Sequence, residues 1–200
     1  MSTFSTTLIS TEDAYTMLGS RDIWDTARRC HAALSVAGLP YAIVGGVAVC
    51  LHGYRRNTID VDILIRAEDS AAVRQALEAT HLPWDEVHRE FRGPDQIPVH
   101  IVLAKTPAGN DRTYNVDFPD PQDAADCQTL EGLRVVRLAS LIDLKLACGL
   151  GSLRRAHRDF ADVIELILIH NLDGSFARNV HKSVRREFRK LVAAAREELR

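Results

Sequence analysis

The sequence predicts an α/β (α+β) fold: a sheet with flanking helices, followed by a helical C-terminal part. Two observations predict it. Up to about residue 137, short apolar and β-branched runs alternate with segments of helical periodicity. After Ala139, leucines and other apolar residues recur every three or four residues, as they do along a buried helix face.

The composition is that of a soluble globular protein of one domain. The chain has 200 residues, of which 46% are hydrophobic and 26% charged, and its net charge is -2. The four cysteines lie far apart, which argues against a zinc knuckle and favours a reducing cytoplasm. We expect no signal peptide, because the N-terminus MSTFSTTLIS has no basic n-region and no long apolar h-region. We expect no membrane span, because no apolar stretch reaches roughly 18 residues.

The core elements follow from strand-like runs, helix caps and Gly/Pro breaks. In chain order the predicted elements are helix 22–36 (ended by Gly38-Leu39-Pro40), strand 41–44, a short helix from Gly45-Gly46 to Leu51, strand 61–65, a helix capped by Asp69 or Ser70 and ending near Ala79, strands near 84–88 and 98–103, an irregular stretch 105–126, and strand 133–136.

Three helices are predicted in the C-terminal part. They are marked by Leu141, Leu144, Leu146 and Leu150, by Phe160, Val163, Ile164, Ile167 and Leu168, and by Val180, Val184, Phe188, Leu191 and Leu199. We therefore divide the chain into an N-terminal segment 1–20, an α/β core 21–137 and a helical part 138–200 that packs on the core.

Asp60 and Asp62 lie in or beside the apolar strand 61–65. Because residues i and i+2 of a strand point to the same face, the two carboxylates should project side by side. Such a pair is costly unless a positive charge lies between its members. A divalent cation meets that need, and oxygen ligands favour Mg²⁺. The alternative is an ion pair with Arg55, Arg56 or Arg66.

Gly45-Gly46 ends strand 41–44, at a point 14 residues before the first aspartate. Glycine lets a phosphate approach the backbone, and the free N–H groups at a helix start attract anions. Tight turns also use paired glycines, so the pair alone has low specificity. Together with the carboxylates it predicts a site for a nucleoside triphosphate and its Mg²⁺.

This arrangement resembles the nucleotidyltransferase superfamily with the polymerase-β-like fold, whose first motif is hG[G/S] followed by [D/E]h[D/E] on the next strand. The match is Val44-Gly45-Gly46, then Asp60-Val61-Asp62 after thirteen intervening residues. The run Arg56-Asn57-Thr58-Ile59-Asp60 is similar to the R-x-T-x-D variant of AbiEii-type members. The resemblance implies a mixed sheet flanked by helices.

Two more AbiEii-type motifs have counterparts in the helical part. D-h-K is matched by Asp143-Leu144-Lys145. R-x-K-D-h-x-D-h-x-x-L is matched over residues 156–166, with both aspartates present as Asp159 and Asp162. The chain departs from this motif because Ala156 replaces the Arg and Arg158 replaces the Lys. The three motifs span about residues 41 to 166.

The resemblance implies the following site residues. Asp60 and Asp62 hold Mg²⁺, and the nucleotide-binding residues are Gly45, Gly46, Arg56, Thr58, Lys145, Asp159 and Asp162. Lys145 would neutralise charge on the triphosphate, and the alternative is that its ammonium reaches solvent. Asp159 and Asp162 would orient Lys145 or bind nucleotide, and the alternative is surface pairing, for example with Arg158. Arg56 would contact the triphosphate or balance the aspartates.

A third carboxylate is expected on a later strand in the superfamily, and this chain lacks it. The expected position in strand 98–103 falls at His100 or Val102, while Asp95 and Asp117 lie outside the strand. His100 could accept a proton, since a free imidazole titrates near pH 6.5, but it binds Mg²⁺ poorly. The alternative is an ordinary strand histidine.

The predicted function is therefore a Mg²⁺-dependent nucleotidyltransferase that moves a nucleoside monophosphate from an NTP (ATP or GTP among them) to a hydroxyl of RNA or tRNA, protein or a small molecule. The first alternative is a weakly active or inactive nucleotide- or partner-binding module, with an antitoxin-like partner in a toxin–antitoxin or phage-defence system. The second is an interaction protein that uses the basic segment 174–200, which carries eight Lys/Arg against three Glu.

Overall fold

The computed structural model describes residues 21–111 and 113–197. The predicted N-terminal segment 1–20 lies outside the described residues. The described helices, in chain order, are α1 (Arg21–Val36), α2 (Gly45–Leu51), α3 (Ser70–Glu78), α4 (Leu138–Leu150), α5 (Leu153–Ile169) and α6 (Arg185–Glu197). The strands are β1 (Tyr41–Val44), β2 (Val61–Ile65), β3 (Trp84–Asp85), β4 (Glu90–Arg92), β5 (Pro98–Leu103), β6 (Cys127–Leu130) and β7 (Leu133–Val136).

The seven strands form one mixed sheet in the order β3-β4-β5-β2-β1-β7-β6. The pairs β1–β2 and β4–β5 are antiparallel, whereas β2–β5 and β1–β7 are parallel. The predicted α/β class, with a mixed sheet flanked by helices and a helical C-terminal part, is therefore confirmed.

The strands with the longest apolar runs were predicted at their observed bounds. β1, β2, β5 and β7 are central in the sheet, and their β-branched residues are largely buried. The strand predicted near 84–88 is shorter, because the Asp85 carboxylate accepts hydrogen bonds from the N–H groups of Val87 and His88 and turns the chain.

β4 and β6 were missed, since each is short and lies next to an edge or at an edge of the sheet. β6 is joined to β7 by Glu131 and Gly132, both with positive φ (47° and 80°). That geometry is typical of the two-residue hairpin turn that Asn-Gly or Asp-Gly indicates in a sequence. Because Glu131 occupies the first position, the usual sequence pattern is absent.

The predicted helices are present, with shifts at their ends. Asp69 precedes α3, but its carboxylate binds Arg66 and makes no capping hydrogen bond. Val180 and Val184, which were assigned to the last helix, precede α6 and are nonetheless buried. Leu199 lies outside the described residues. The division into a core 21–137 and a helical part 138–200 stays a prediction.

The helical part packs closely on the rest of the described chain. α4 is buried along most of its length and contacts α2 and α5. The apolar face of α6 inserts Phe188, Val192 and Ala195 into the same core. Within ranges 21–111 and 113–197, no helix has the length and apolar character needed to cross a bilayer.

Candidate active site

The two aspartates stand at the start of β2, near the middle of the sheet. Asp60 lies just before the strand and Asp62 is its second residue, while Val61 and Ile63 are fully buried on the other face. Strand pairing places Asp62 opposite Val44 on one side and opposite His100 on the other. The predicted projection of both carboxylates to one face follows from this alternation.

The paired glycines make room for two side chains of the site. Gly45 has φ +65°, and a Cβ there would lie 1.9 Å from Oδ2 of Asp62. A Cβ on Gly46 would lie 2.3 Å from Oγ1 of Thr58, which in turn donates a 3.3 Å hydrogen bond to Asp60. Glycine is therefore required at both positions, because a Cβ would displace Asp62 or the Thr58 hydroxyl that donates a hydrogen bond to Asp60.

Gly45→Ala is expected to destabilise the protein more than Gly38→Ala. Both glycines have φ +65°, but a Cβ on Gly38 meets nothing within 4 Å. Both variants carry the left-handed backbone cost of about 1–2 kcal/mol. Gly45→Ala adds an overlap worth roughly 1–3 kcal/mol, because Asp62 must move. Urea unfolding of both variants measures the difference, and equal losses would contradict the close approach of Asp62.

His100 on β5 lies between three carboxylates. Its Nδ1 is 3.5 Å from Asp62 and 3.7 Å from Asp60, and its Nε2 makes a 3.0 Å hydrogen bond with Glu90. The interaction with Asp62, followed by that with Glu90, raises the pKa of His100 to about 9 against the opposing effect of partial burial. The pKa of His100 therefore lies above the value near 6.5 that the sequence alone predicts.

Glu90 is the site residue that the sequence did not reveal. It is buried on β4, where Arg92 binds one carboxylate oxygen and His100 the other. The hydrogen bond with Arg92 is the main reason why the pKa of Glu90 lies below its usual range. A three-residue strand of Glu, Phe and Arg carries no strong pattern, so only the sheet order brings this carboxylate to His100.

Asp60, Asp62 and His100 are a group whose ligand atoms all lie within 4.8 Å of one another. Mg²⁺ is commonly bound through one or two carboxylates, with substrate phosphates and water completing its shell. The two carboxylates meet that requirement. The imidazole nitrogen does not suit Mg²⁺. His100 lies instead within ion-pair distance of both carboxylates and hydrogen-bonds to Glu90. The donor set fits Mg²⁺ held by Asp60 and Asp62.

A buried ion-pair network lies behind the carboxylate pair. Lys145 Nζ on α4 is 2.9 Å from Asp159 and 2.7 Å from Asp162, both on α5. Asp162 also receives Nε and Nη2 of Arg56, at 2.6 and 3.0 Å. The two aspartates are 0% and 1% exposed and Lys145 is 5% exposed. Lys145 therefore does not reach into solvent, and Asp162 pairs with Arg56 and Lys145, not with Arg158.

Two of the three arginines predicted as alternative partners of the aspartate pair form ion pairs with other carboxylates. Arg66 forms an ion pair with Asp69 at 2.6 Å, and Arg56 pairs with Asp162. The alternative in which an arginine neutralises the Asp60–Asp62 pair stays a prediction. The imidazole of His100 lies beside the pair, 3.7 Å from Asp60 and 3.5 Å from Asp62.

The carboxylate pair, the paired glycines and His100 line one cleft of about 360 Å³. Its walls come from α2, the loop before β2, β5, α4 and the first turns of α5, and its lining residues are Gly45, Gly46, Arg56, Asn57, Thr58, Ile59, Asp60, Asp62, His100, Lys145, Arg155 and Arg158. A volume of this size lies within the range of small-molecule sites. The cleft thus joins two carboxylates to a lining that is otherwise mainly cationic and polar.

A smaller apolar cavity of about 90 Å³ adjoins the cleft. The two share Gly45, Asp62, Lys145 and Arg155. Its other lining residues are mainly apolar and include Val102, Phe118, Leu141 and Cys148. Asp62 therefore stands between a polar and an apolar space.

Of the residues predicted for the site, Asp159 and Asp162 are the two that do not line the cleft. They lie beneath it and hold Lys145 and Arg56, while the remaining predicted residues reach the cleft surface. Their contacts agree with an orienting role. Arg155 and Arg158 line the cleft although the sequence reasoning assigned them no role in binding.

Solved structures of ANT(2'')-Ia are among the structural neighbours of this chain. No protein-family model matches the chain, and no curated protein matches it significantly. The crystal structure of ANT(2'')-Ia in complex with adenylyl-2''-tobramycin aligns with a TM-score of 0.44 and 13% identity, over 88% of this chain and 98% of that chain. The solution structure of the antibiotic-resistance factor ANT(2'')-Ia aligns with a TM-score of 0.43 and 12% identity, over 88% and 94%. We therefore argue function from the residues of the cleft.

Proposed function

We propose that the protein transfers a nucleoside monophosphate from an NTP to a hydroxyl acceptor. The observation that carries this proposal is the pair Asp60 and Asp62, which projects into a cleft of about 360 Å³ whose other lining residues are mainly cationic or polar. Two adjacent carboxylates in such a cleft suit a divalent cation, and the surrounding cations suit polyphosphate. The AbiEii-type assignment stays a prediction from the sequence motifs.

Nucleotidyl transfer needs positioning and charge neutralisation more than covalent chemistry. The acceptor oxygen forms a bond to the α-phosphorus as the bond to the bridging oxygen breaks. Pyrophosphate leaves with that electron pair, and the hydroxyl proton passes to solvent. Mg²⁺, when bound, supplies Lewis-acid polarisation of the phosphate oxygens.

The predicted site residues have the following roles in that scheme. Asp60 and Asp62 would hold Mg²⁺, and Thr58 orients Asp60 through its hydrogen bond. Gly45 and Gly46 keep the floor of the cleft open for phosphate. Lys145 and Arg56, which line the cleft, would neutralise charge on the triphosphate while Asp159 and Asp162 fix their positions. His100 hydrogen-bonds to Glu90 and lies within ion-pair distance of both Asp60 and Asp62, which keeps the two carboxylates in place.

The acceptor and the base belong to the same proposal. ATP and GTP are the first donors to test, and RNA (tRNA included), protein and small molecules with hydroxyls are the acceptor classes. The cleft alone does not favour one of them.

The proposal is tested by label transfer. The protein is incubated with each of the four α-labelled NTPs, with Mg²⁺, and with total RNA, a protein extract or a small-molecule extract from cells. We expect Mg²⁺-dependent label on one acceptor class, removed by chelation with EDTA. If no NTP labels any acceptor above the level of the Asp60→Asn/Asp62→Asn variant, transfer to these acceptors is refuted.

A second candidate is a nucleotide-binding module without transfer, which could act with an antitoxin-like protein partner. The observation that favours it is His100 at the position where a third carboxylate was expected. Among the described residues, the group of possible metal ligands around Asp60 and Asp62 is completed by His100 and not by a third carboxylate. Calorimetry separates the two candidates. Mg²⁺-dependent NTP binding without label transfer supports the second, and absence of NTP binding counts against both.

A further inference from the structure

Two of the cations that line the cleft are already balanced by buried carboxylates. Arg56 and Lys145 share Asp159 and Asp162 as partners at distances of 2.6 to 3.0 Å. The formal charges of these four groups sum to zero. A triphosphate in the cleft would therefore meet hydrogen-bond donors at this network but little net positive charge.

Arg155 is a third cation, and it is partly engaged. Its Nε lies 3.2 Å from Oδ2 of Asp159, one helical turn along α5, and half of its side chain is exposed. The same Asp159 oxygen is buried and accepts no hydrogen bond from the described residues, so the contact is electrostatic only. Arg155 serves first to compensate Asp159.

Arg158 differs from all of these. It lines the cleft from the second turn of α5, it is exposed, and it forms no ion pair with any residue in ranges 21–111 and 113–197. An exposed arginine can be a solvated helix residue, but this one is directed to the space that Asp60 and Asp62 also line. Its guanidinium keeps a full positive charge and a planar set of donors that matches phosphate.

We propose that Arg158 binds the β- and γ-phosphates of the NTP, the part that leaves as pyrophosphate. This inference rests on the proposed nucleotidyl transfer and adds a specificity: Arg158 makes the cleft prefer a triphosphate to a monophosphate. The α-phosphate would lie near Asp60 and Asp62, the residues that would hold Mg²⁺. The two terminal phosphates carry most of the charge and need the cation that no protein carboxylate has neutralised.

The chain contains a matched control for Arg158. Arg154 lies one turn earlier on α5, is also exposed, and is not among the residues that line the cleft. Arg154→Ala and Arg158→Ala remove the same charge from the same helix. A difference between them therefore reports position in the cleft and not the overall field of the helix.

The experiment is titration calorimetry of the full chain with MgATP, MgGTP, MgCTP and MgUTP, and with the four matching monophosphates. We expect Arg158→Ala to weaken binding of the preferred triphosphate by about 10-fold or more, the usual effect of a lost charge-assisted hydrogen bond. Monophosphate binding should change by less than about twofold, and Arg154→Ala should change neither by more than about twofold. Arg158→Lys should recover part of the triphosphate affinity, because lysine keeps the charge but lacks the planar guanidinium that can bind phosphate through two hydrogen bonds.

Three results would overturn the inference while the proposed function stands. They are wild-type triphosphate affinity in Arg158→Ala, equal losses for triphosphate and monophosphate, and equal losses in Arg154→Ala and Arg158→Ala. If wild-type protein binds none of the four triphosphates, the proposed function fails and the inference fails with it. Thermal unfolding of each variant confirms that the exposed substitutions leave the fold intact.

Discussion

Replacing Asp60 and Asp62 together by asparagine is expected to lower nucleotidyl transfer by roughly 1,000-fold or more while the protein stays folded. The loss follows from the function that we assign to the pair, because a bound metal contributes several kcal/mol of transition-state stabilisation. Asparagine keeps the size of each side chain and removes only the charge, so the test is specific to metal binding. Label transfer and Mg²⁺-dependent calorimetry measure the two effects.

The free energy of unfolding should change by no more than about 1 kcal/mol in that variant. Both carboxylates are partly exposed, at 31% and 24%, and their pairing with His100 is offset by their mutual repulsion. Asp25→Asn is the control, since Asp25 is an exposed aspartate on α1, outside the cleft. A loss of transfer in the Asp25 variant, or undiminished transfer in the double variant, would contradict the assignment.

The sequence predicted those parts of the fold that have strong local patterns. β1, β2, β5 and β7 are apolar and β-branched enough to be recognised one at a time. Edge elements carry fewer apolar residues, and their pairing depends on neighbours far away in the chain, so β4 and β6 were missed. The same reason hid Glu90, which becomes part of the site only because β4 pairs with β5.

The site was predicted in part, because its two halves have different origins. Gly45, Asp60 and Asp62 are close in sequence and lie on or beside the antiparallel strands β1 and β2, which α2 connects, so spacing alone indicates that they meet. The contact of Arg56 with Asp162 bridges 106 residues. No local sequence pattern specifies this contact. The motif resemblance indicated only that Arg56 and Asp162 are parts of the same site. That network is also where the largest effect on stability is expected.

Lys145→Met is expected to destabilise the protein by about 3–5 kcal/mol, the usual cost of removing one partner from a buried ion pair. Lys145 is the cation between two carboxylates that are 0% and 1% exposed. Without it, Arg56 remains for Asp162, but Asp159 keeps only the half-exposed Arg155. Methionine fills similar volume, so the loss reports the charge and not a cavity. Urea unfolding with an unchanged m-value measures it.

Lys190→Met provides the matched control, since Lys190 forms an exposed pair with Glu187 on α6 at 2.8 Å and should cost less than about 1 kcal/mol. The double variant Lys145→Met/Asp159→Asn removes a positive and a negative charge together. Because the penalty in the single variant arises from an uncompensated buried carboxylate, the double variant should recover about 1–3 kcal/mol of that loss. Strictly additive losses would mean that Lys145 gains no stability from its ion pair with Asp159. In that case Asp159 would not be its positioning residue, and the orienting role that we assign to the α5 aspartates would be wrong.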